Sequence, residues 1–314
     1  MPRLTRTDAL LLLMALIWGV NMIIVKAVLA VFEPLAFNVV RFTIASVAMV
    51  AIAYGLGNPA PPRRLWGRIA AYGIIGNSLY QLGFIEGIAR TRAGNVALIL
   101  AANPVLTAAL SHILGHERLH WREWAGLALS GIGVGAIVLG SHSEVAVGTS
   151  VVGDLLVLWA ALCWAVYSIG TRPIAAEIGA VPMAAWTIAA GTIPMLFYGI
   201  PDLTTQQWTG LSLPAWGAVA YASLGALVIA YLIWARGLRE LGPTRSAQYS
   251  NATPVFAFLA AWLLLSEVPT AWQVAGGSAV FAGLYVTRAT GRSSPRSISG
   301  NPTVAPDPPP TTRT

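Results

Sequence analysis

Charge is scarce in this sequence. Only 10% of its 314 residues are charged, against 56% hydrophobic, and the mean hydropathy is +0.68. A soluble domain carries about 25% charged residues, so composition excludes an ordinary soluble fold and makes the bilayer the solvent. A single cysteine, Cys163, excludes an internal disulfide, and its place in an apolar run leaves the redox compartment open. No Walker loop is present, so nothing points to ATP hydrolysis. No carboxylate falls at the centre of an apolar run: Asp8, Glu33, Glu86, Asp154, Glu177 and Glu240 lie at ends or in loops. Pumps that relay protons place Asp, Glu or His inside the membrane. That leaves Glu86, one turn from the end of its run, as the one candidate for proton coupling. His112, His116, His120 and His142 gather near one connection, and Glu117 could join the i, i+4 pair of His112 and His116 around a metal. The sequence has no His-Glu-x-x-His arrangement and the pair flanks a basic loop, so neither a metal nor another cofactor is expected, and no enzyme chemistry.

What the sequence does contain is a copy of itself. Asn103-Pro104 and Glu117 recur as Thr253-Pro254 and Glu267, 150 residues on. Gly87 with Gly237, Ala97 with Ala247, Val105 with Val255, Gly126 with Gly276 and Gly133 with Gly283 keep that register. Upstream, Ala15-Leu16-Ile17-Trp18 is echoed by Ala161-Leu162-Cys163-Trp164 at an offset of 146, and Lys26 by Arg172. Hydrophobic halves that repeat suggest a carrier with two interconvertible gates around one central site.

About 20 apolar residues are needed to cross the hydrocarbon core. Ten such windows can be drawn, over 9–29, 34–56, 66–88, 93–115, 122–140, 151–171, 184–200, 214–236, 247–265 and 271–288. The first lacks an Ala-x-Ala-like cleavage site and is taken as retained. The tail 291–314 is rich in Ser, Pro and Thr and is expected to be disordered. With the N-terminus inside, fifteen Arg fall on the cytoplasmic side and only Arg90 and Arg92 outside. Both termini are then cytoplasmic. Each half, 1–145 and 146–290, has five spans, so the second inserts upside down: an all-α membrane protein of two inverted five-helix repeats. The net charge of +7 is scattered over short loops with no basic stripe, so nucleic acid is not expected as a partner.

Ala102-Asn103-Pro104-Val105, a mostly apolar run, His116-Glu117-Arg118-Leu119 and a glycine-rich segment (Gly126, Gly131, Gly133, Gly135) resemble the EamA repeat of the drug/metabolite transporter superfamily. Ala252-Thr253-Pro254-Val255, Ser266-Glu267-Val268 and Gly276, Gly277 and Gly283 repeat the pattern, and Trp18-Gly19 and Pro34 followed by Arg41 are similar too. The resemblance covers roughly residues 8–288. It implies a bacterial inner-membrane carrier of a small metabolite, an exporter or facilitator working by alternating access, with amino acids among the cargoes of such families. A proton-coupled efflux carrier of drugs or toxic compounds, and a non-transporting scaffold or sensor, are the alternatives. The second half departs by lacking an arginine equivalent to Arg41, since it reads Trp186-Thr187-Ile188-Ala189-Ala190 there.

Polar and aromatic residues at membrane depth are the candidate site, because hydrocarbon offers them no partner. Arg41, two turns into its span with Asn38 one turn earlier, either snorkels to the headgroups or attracts an anionic group of a substrate. Lys26 reads as a snorkelling anchor. Pro104 and Pro254, each near mid-span, each remove a helix N–H and suggest hinges flanked by Asn103, Gln248 and Asn251. Trp18 and Asn21 with Trp164 and Tyr167, and Tyr80 and Gln81 with Tyr231 and Trp234, would line the cavity, aromatics offering a large face and one polar tip. Belts at the membrane interface are the alternative for the aromatics. Gly131/Gly135 and Ala275/Ala279/Gly283 give small faces suited to packing between the halves, or between protomers of a homodimer.

Overall fold

The computed structural model describes residues 5–58, 60–115, 119–140, 149–250, 252–266 and 268–290, and the side chains of 242–248 are outside that description. His116, Glu117, His142, Asn251, Glu267, the Gln248 side chain and the tail 291–314 therefore lie outside the described residues. Among the described residues every regular element is a helix.

The chain opens with a capping box. Thr5 accepts from the Asp8 amide at 3.3 Å while the Asp8 carboxylate accepts from the Thr5 amide at 2.9 Å, starting α1 (Arg6–Val28). Pro34 sits in the first turn of α2 (Pro34–Gly55), where its missing N–H costs nothing, and the Leu35 amide donates to Asp202 at 2.8 Å. Next come α3 (Trp66–Gly73), a π-helical turn (Ile74–Leu79) and α4 (Tyr80–Arg90) in one continuous run. The helix pair α5 (Ala93–Ala101) and α6 (Asn103–Ile113) is broken where Pro104 cannot donate, and α7 (Trp121–Gly140) follows.

The second half begins with α8 (Thr149–Ile178) and, after Gly179 at a φ of 90° that suits glycine, α9 (Ala180–Tyr198). The short α10 (Ile200–Thr205) leads to α11 (Leu213–Ala220), a second π turn (Tyr221–Ile229) and α12 (Ala230–Ser250). Finally α13 (Ala252–Leu265) and α14 (Ala271–Thr290) close the bundle. Among the described residues seven helical segments are long and apolar enough to cross a membrane: 6–28, 34–55, 93–113, 121–139, 151–178, 180–198 and 213–241. The run 66–90 and α14 do not meet those limits, and α13 is a shorter apolar helix. The apolar segment 213–241 ends short of the end of α12 at Ser250, and Thr253-Pro254 lies in the first turn of α13 as Asn103-Pro104 lies in the first turn of α6.

Lys26 fixes the bundle's ends. Its ammonium donates to the carbonyls of Ile88 at 2.8 Å and Thr91 at 2.7 Å, capping the last turn of α4. The snorkelling role is thus corrected: the charge is spent on helix-end carbonyls. Helix α1 is about 33 Å long at 1.5 Å per residue, so Asp8 and Lys26 mark opposite ends. Asp154, near the start of α8, bonds Thr91 at 2.6 Å and so lies at the Lys26 end. Helices α1 and α8, which share the 146-residue echo, begin at opposite ends.

Packing follows the same exchange of halves. Helix α1 packs on α12 and α13 while α8 packs on α4 and α6, and α2 meets α9. The π turn 74–79 lies against α9 and the π turn 221–229 against α2. Helices α7 and α14 form the most extensive pair, through Gly133 against the Gly276 carbonyl and Gly283 against Gly126 and Ser130. Ser130 also donates to the Val280 carbonyl at 3.2 Å. Of the small faces expected to pack between the halves or between protomers, Gly283 meets α7 within the chain, whereas Gly131 and Gly135 meet open space and Ala275 is exposed. A Cβ at Gly133 would overlap backbone of α14. Gly133→Leu should therefore lower folding stability by about 1–3 kcal/mol, while Gly131→Leu leaves it unchanged. Thermal melts of the detergent-purified variants check this.

Candidate functional site

Arg41 is 1% exposed, so it does not snorkel. It stands in the third turn of α2, about 10 Å along the helix, and its guanidinium turns inward. Nε donates to Asn38 Oδ1 at 2.9 Å, and Nη2 donates to Gln81 Oε1 on α4. The rings of Phe37 and Phe42 lie 5.4 and 5.3 Å from its central carbon. Tyr80, Tyr198 and Tyr231, from α4, α9 and α12, stand close enough to interact electrostatically with it. Among the described residues no carboxylate pairs with Arg41, and Nη1 has no hydrogen-bond partner. Asn38 is in turn held by Met195, its Nδ2 3.9 Å from the sulfur. Neutral amides hold the fork in place without cancelling its charge.

Two aromatic groups border this cation, one from each pairing of halves. Tyr80 stacks on Phe84, with centroids 5.9 Å apart, and lies 5.4 Å from Trp164, which is 5.2 Å from Tyr167. Trp18 lies 5.9 Å from Tyr231 and 6.2 Å from Trp234. Repeat-related Trp18 and Trp164 thus belong to different clusters. The π turns shape both. Gly76 presents no side chain to the Tyr167 ring, which occupies the space a Cβ would need. In the second turn the Ala226 carbonyl, 150 residues on, accepts from Trp18 Nε1 at 3.0 Å. Widened turns of this kind recur at functional sites because they release a carbonyl and shift a side chain.

The structure thus brings Arg41, Gln81, Tyr80 and Tyr231 together, with Trp18, Trp164, Tyr167 and Trp234 behind the tyrosines. Among the described residues Asn21 Oδ1, Asn103 Oδ1 and Thr253 Oγ1 are buried without a hydrogen-bond partner. Two of these stand at the repeat-related prolines. Glu86 does not join the site: it pairs with Arg90, one turn along the last part of α4. His112 accepts from the Leu119 amide at 2.9 Å, and no group of three metal-ligating side chains occurs among the described residues.

Acids that the sequence places only at helix ends or in loops, with polar partners nearby, hold the two ends. At the Lys26 end, Asp154 on α8 accepts from Thr91 at 2.6 Å and from Asn95 at 3.2 Å, and Asn95 accepts from Gln273 of α14 at 2.7 Å. At the other end, Asp8 on α1 accepts from the Tyr249 hydroxyl of α12 at 2.7 Å, and Thr7 bonds Glu240. Asp8 and Asp154 are 1% and 0% exposed. Their 146-residue separation, the offset of Trp18 and Trp164, is the signal that could have found them. Tyr198 carried no such signal, since its place beside Arg41 depends on how α9 crosses α2.

Comparison with known proteins agrees with this architecture. A family model described as the EamA-like transporter family matches residues 5–139 and again 151–289. A protein of Salmonella typhimurium named a probable amino-acid metabolite efflux pump is 29% identical, over 90% of this chain and 95% of its own. A Streptantibioticus cattleyicolor protein named a probable terminal-alkyne amino-acid exporter is also 29% identical, over 83% and 86% of the two chains. One solved crystal structure, 20% identical, covers 92% of this chain and 99% of its own with a TM-score of 0.65, a likeness of fold.

The buried aspartates carry a testable cost. Asp154→Ala removes the bonds that Thr91 and Asn95 donate to it, and Asp8→Ala removes the bond from Tyr249 and the capping box. Each should lower stability by about 1–3 kcal/mol. Glu177→Ala, which removes the exposed pair with Arg64, should change little. Unfolding of the purified variants in detergent compares them.

Proposed function

Because the chain belongs to the EamA-like transporter family, a family of multi-pass membrane proteins, we propose that it carries a small carboxylate-bearing metabolite, such as an amino acid, by alternating access. The observation that carries this reading is the Arg41 guanidinium, buried where α2, α4, α9 and α12 meet and held by neutral amides. A charge taken out of water is costly unless an opposite charge joins it. An arriving carboxylate supplies that charge and engages Nη1, and Tyr80, Tyr231 and the tryptophans receive the rest of the molecule. Asn21, Asn103, Gln248 and Asn251 complete the proposed polar lining, and Pro104 and Pro254 serve as hinges.

The proposed frame is ten transmembrane helices in two inverted repeats, 1–145 and 146–290, in a bacterial inner membrane with both termini cytoplasmic. The opposite starts of α1 and α8 and the exchange of packing partners between halves support it. The arginine bias of the loops supports the orientation. Inverted repeats allow the two halves to trade conformations. The Asp154 cluster and the Asp8 cluster then act as clasps at the two ends, one opening as the other holds. Export is the direction that the relatives' names favour.

In proteoliposomes, saturable flux of a carboxylate-bearing metabolite is expected, and Arg41→Gln should reduce it about tenfold or more, the worth of a charge-assisted hydrogen bond. Absence of saturable flux for every amino acid and organic acid tried, from folded protein, contradicts the proposal. Movement should be downhill and indifferent to an imposed pH gradient, because Glu86 is spent on Arg90. Glu86→Gln should leave flux unaltered, whereas proton-driven uphill accumulation that Glu86→Gln abolishes would establish the proton-coupled alternative.

A further inference from the structure

The charges around Arg41 say more than that a carboxylate fits. The site holds one cation and, among the described residues, no acid to receive an ammonium group. Each described acid is accounted for elsewhere. Asp8 and Asp154 sit in the end clusters, Glu86, Glu177 and Glu240 pair with Arg90, Arg64 and Arg236, and Asp202 accepts from the Leu35 amide. Glu123 accepts from the His120 amide, and Glu33 is exposed ahead of α2. The groups that hold the guanidinium, Asn38 and Gln81, are neutral.

From this charge distribution we infer that the substrate is recognised as a monoanion, through its carboxylate and a flat apolar body, and that an α-amine adds nothing to binding. The inference rests on the transport reading above and narrows it. A zwitterion brings Arg41 the carboxylate it lacks, but also an ammonium that must lose its water beside a fixed cation. At short range in a dry site, two like charges repel strongly. Aromatic faces attract an ammonium through their quadrupole, yet Tyr80, Tyr198 and Tyr231 already interact electrostatically with the guanidinium. The aromatic groups are better used by the body of the ligand. Tyr80 stacked on Phe84 and Trp18 set edge-on to Tyr231 each include a tyrosine that interacts electrostatically with the cation. A planar apolar group attached two or three bonds from a carboxylate would meet rings of either cluster. The ligand class is therefore an aryl- or alkyl-substituted monocarboxylate, including N-acylated and deaminated forms of apolar amino acids.

Titration of the full-length protein in lipid nanodiscs, followed by its tryptophan fluorescence, tests this with four probes of one shape. Hydrocinnamate and N-acetylphenylalanine are monoanions, phenylalanine is the zwitterion, and phenethylamine is the cation. The two monoanions should bind at least as tightly as phenylalanine, and phenethylamine should neither bind nor compete. Gln81→Glu places a carboxylate against Arg41 and should weaken both monoanions about tenfold or more. The ranking in the unmodified protein decides the matter even if that variant does not fold. If phenylalanine binds about tenfold or more tightly than both monoanions, or if phenethylamine competes, the amine is recognised and the inference is overturned while carboxylate transport stands. If none of the three carboxylates binds and none is carried in proteoliposomes, both the inference and the transport reading fail.

Discussion

Hydrocarbon supplies no hydrogen-bond partner, so every polar group at depth must be satisfied by the protein or by what the protein binds. That constraint orders this structure. Lys26 is spent on the carbonyls that end α4, Asp8 and Asp154 on hydroxyls and an amide, and Ser130 on a carbonyl of α14. Arg41 breaks the pattern. It keeps two neutral acceptors, two ring contacts and one uncommitted nitrogen. A buried charge in that condition is the basis of the binding site proposed above.

The helices around it are shaped so that they can approach. Gly133 and Gly276 let α7 and α14 meet backbone to backbone at one side of the bundle. Near the centre the two π turns do the opposite, widening the helices so that Tyr167 lies against Gly76 and Trp18 reaches the Ala226 carbonyl. Close packing at the flank and loosened helices at the centre suit a carrier whose inner helices move against a rigid support. The end clusters join elements of different halves, α5 to α8 and α14 at one end and α1 to α12 at the other. Both are formed here.

The broad design was legible because a duplicated gene leaves its register in the chain. The 150-residue spacing of Asn103-Pro104 and Thr253-Pro254, and the rarity of an arginine amid apolar residues, pointed to the repeats and to Arg41. Burial was harder to read. Asp8 and Asp154 lie near helix starts, where a carboxylate usually meets water, and only tertiary contacts take them out of it. Lys26 looked like an anchor because its partners, three main-chain carbonyls 62 to 65 residues away, carry no residue signature. Spacing gave a stripe of glycines at Gly131 and Gly135, but the crossing angle of α7 and α14 chose Gly133, two residues along, for the contact within the chain. The π turns leave no pattern in composition at all.

The central claim is that two ends, clasped by repeat-related aspartates, open in alternation around a carboxylate held by Arg41. Spin-label distances in nanodiscs measure this directly, with one pair across the Thr91–Asp154 end and another across the Asp8–Tyr249 end. Adding a transported carboxylate should shift the two distance distributions in opposite senses, one end widening as the other closes. Distances that stay fixed at both ends with the carboxylate bound, or that widen together, would contradict the account.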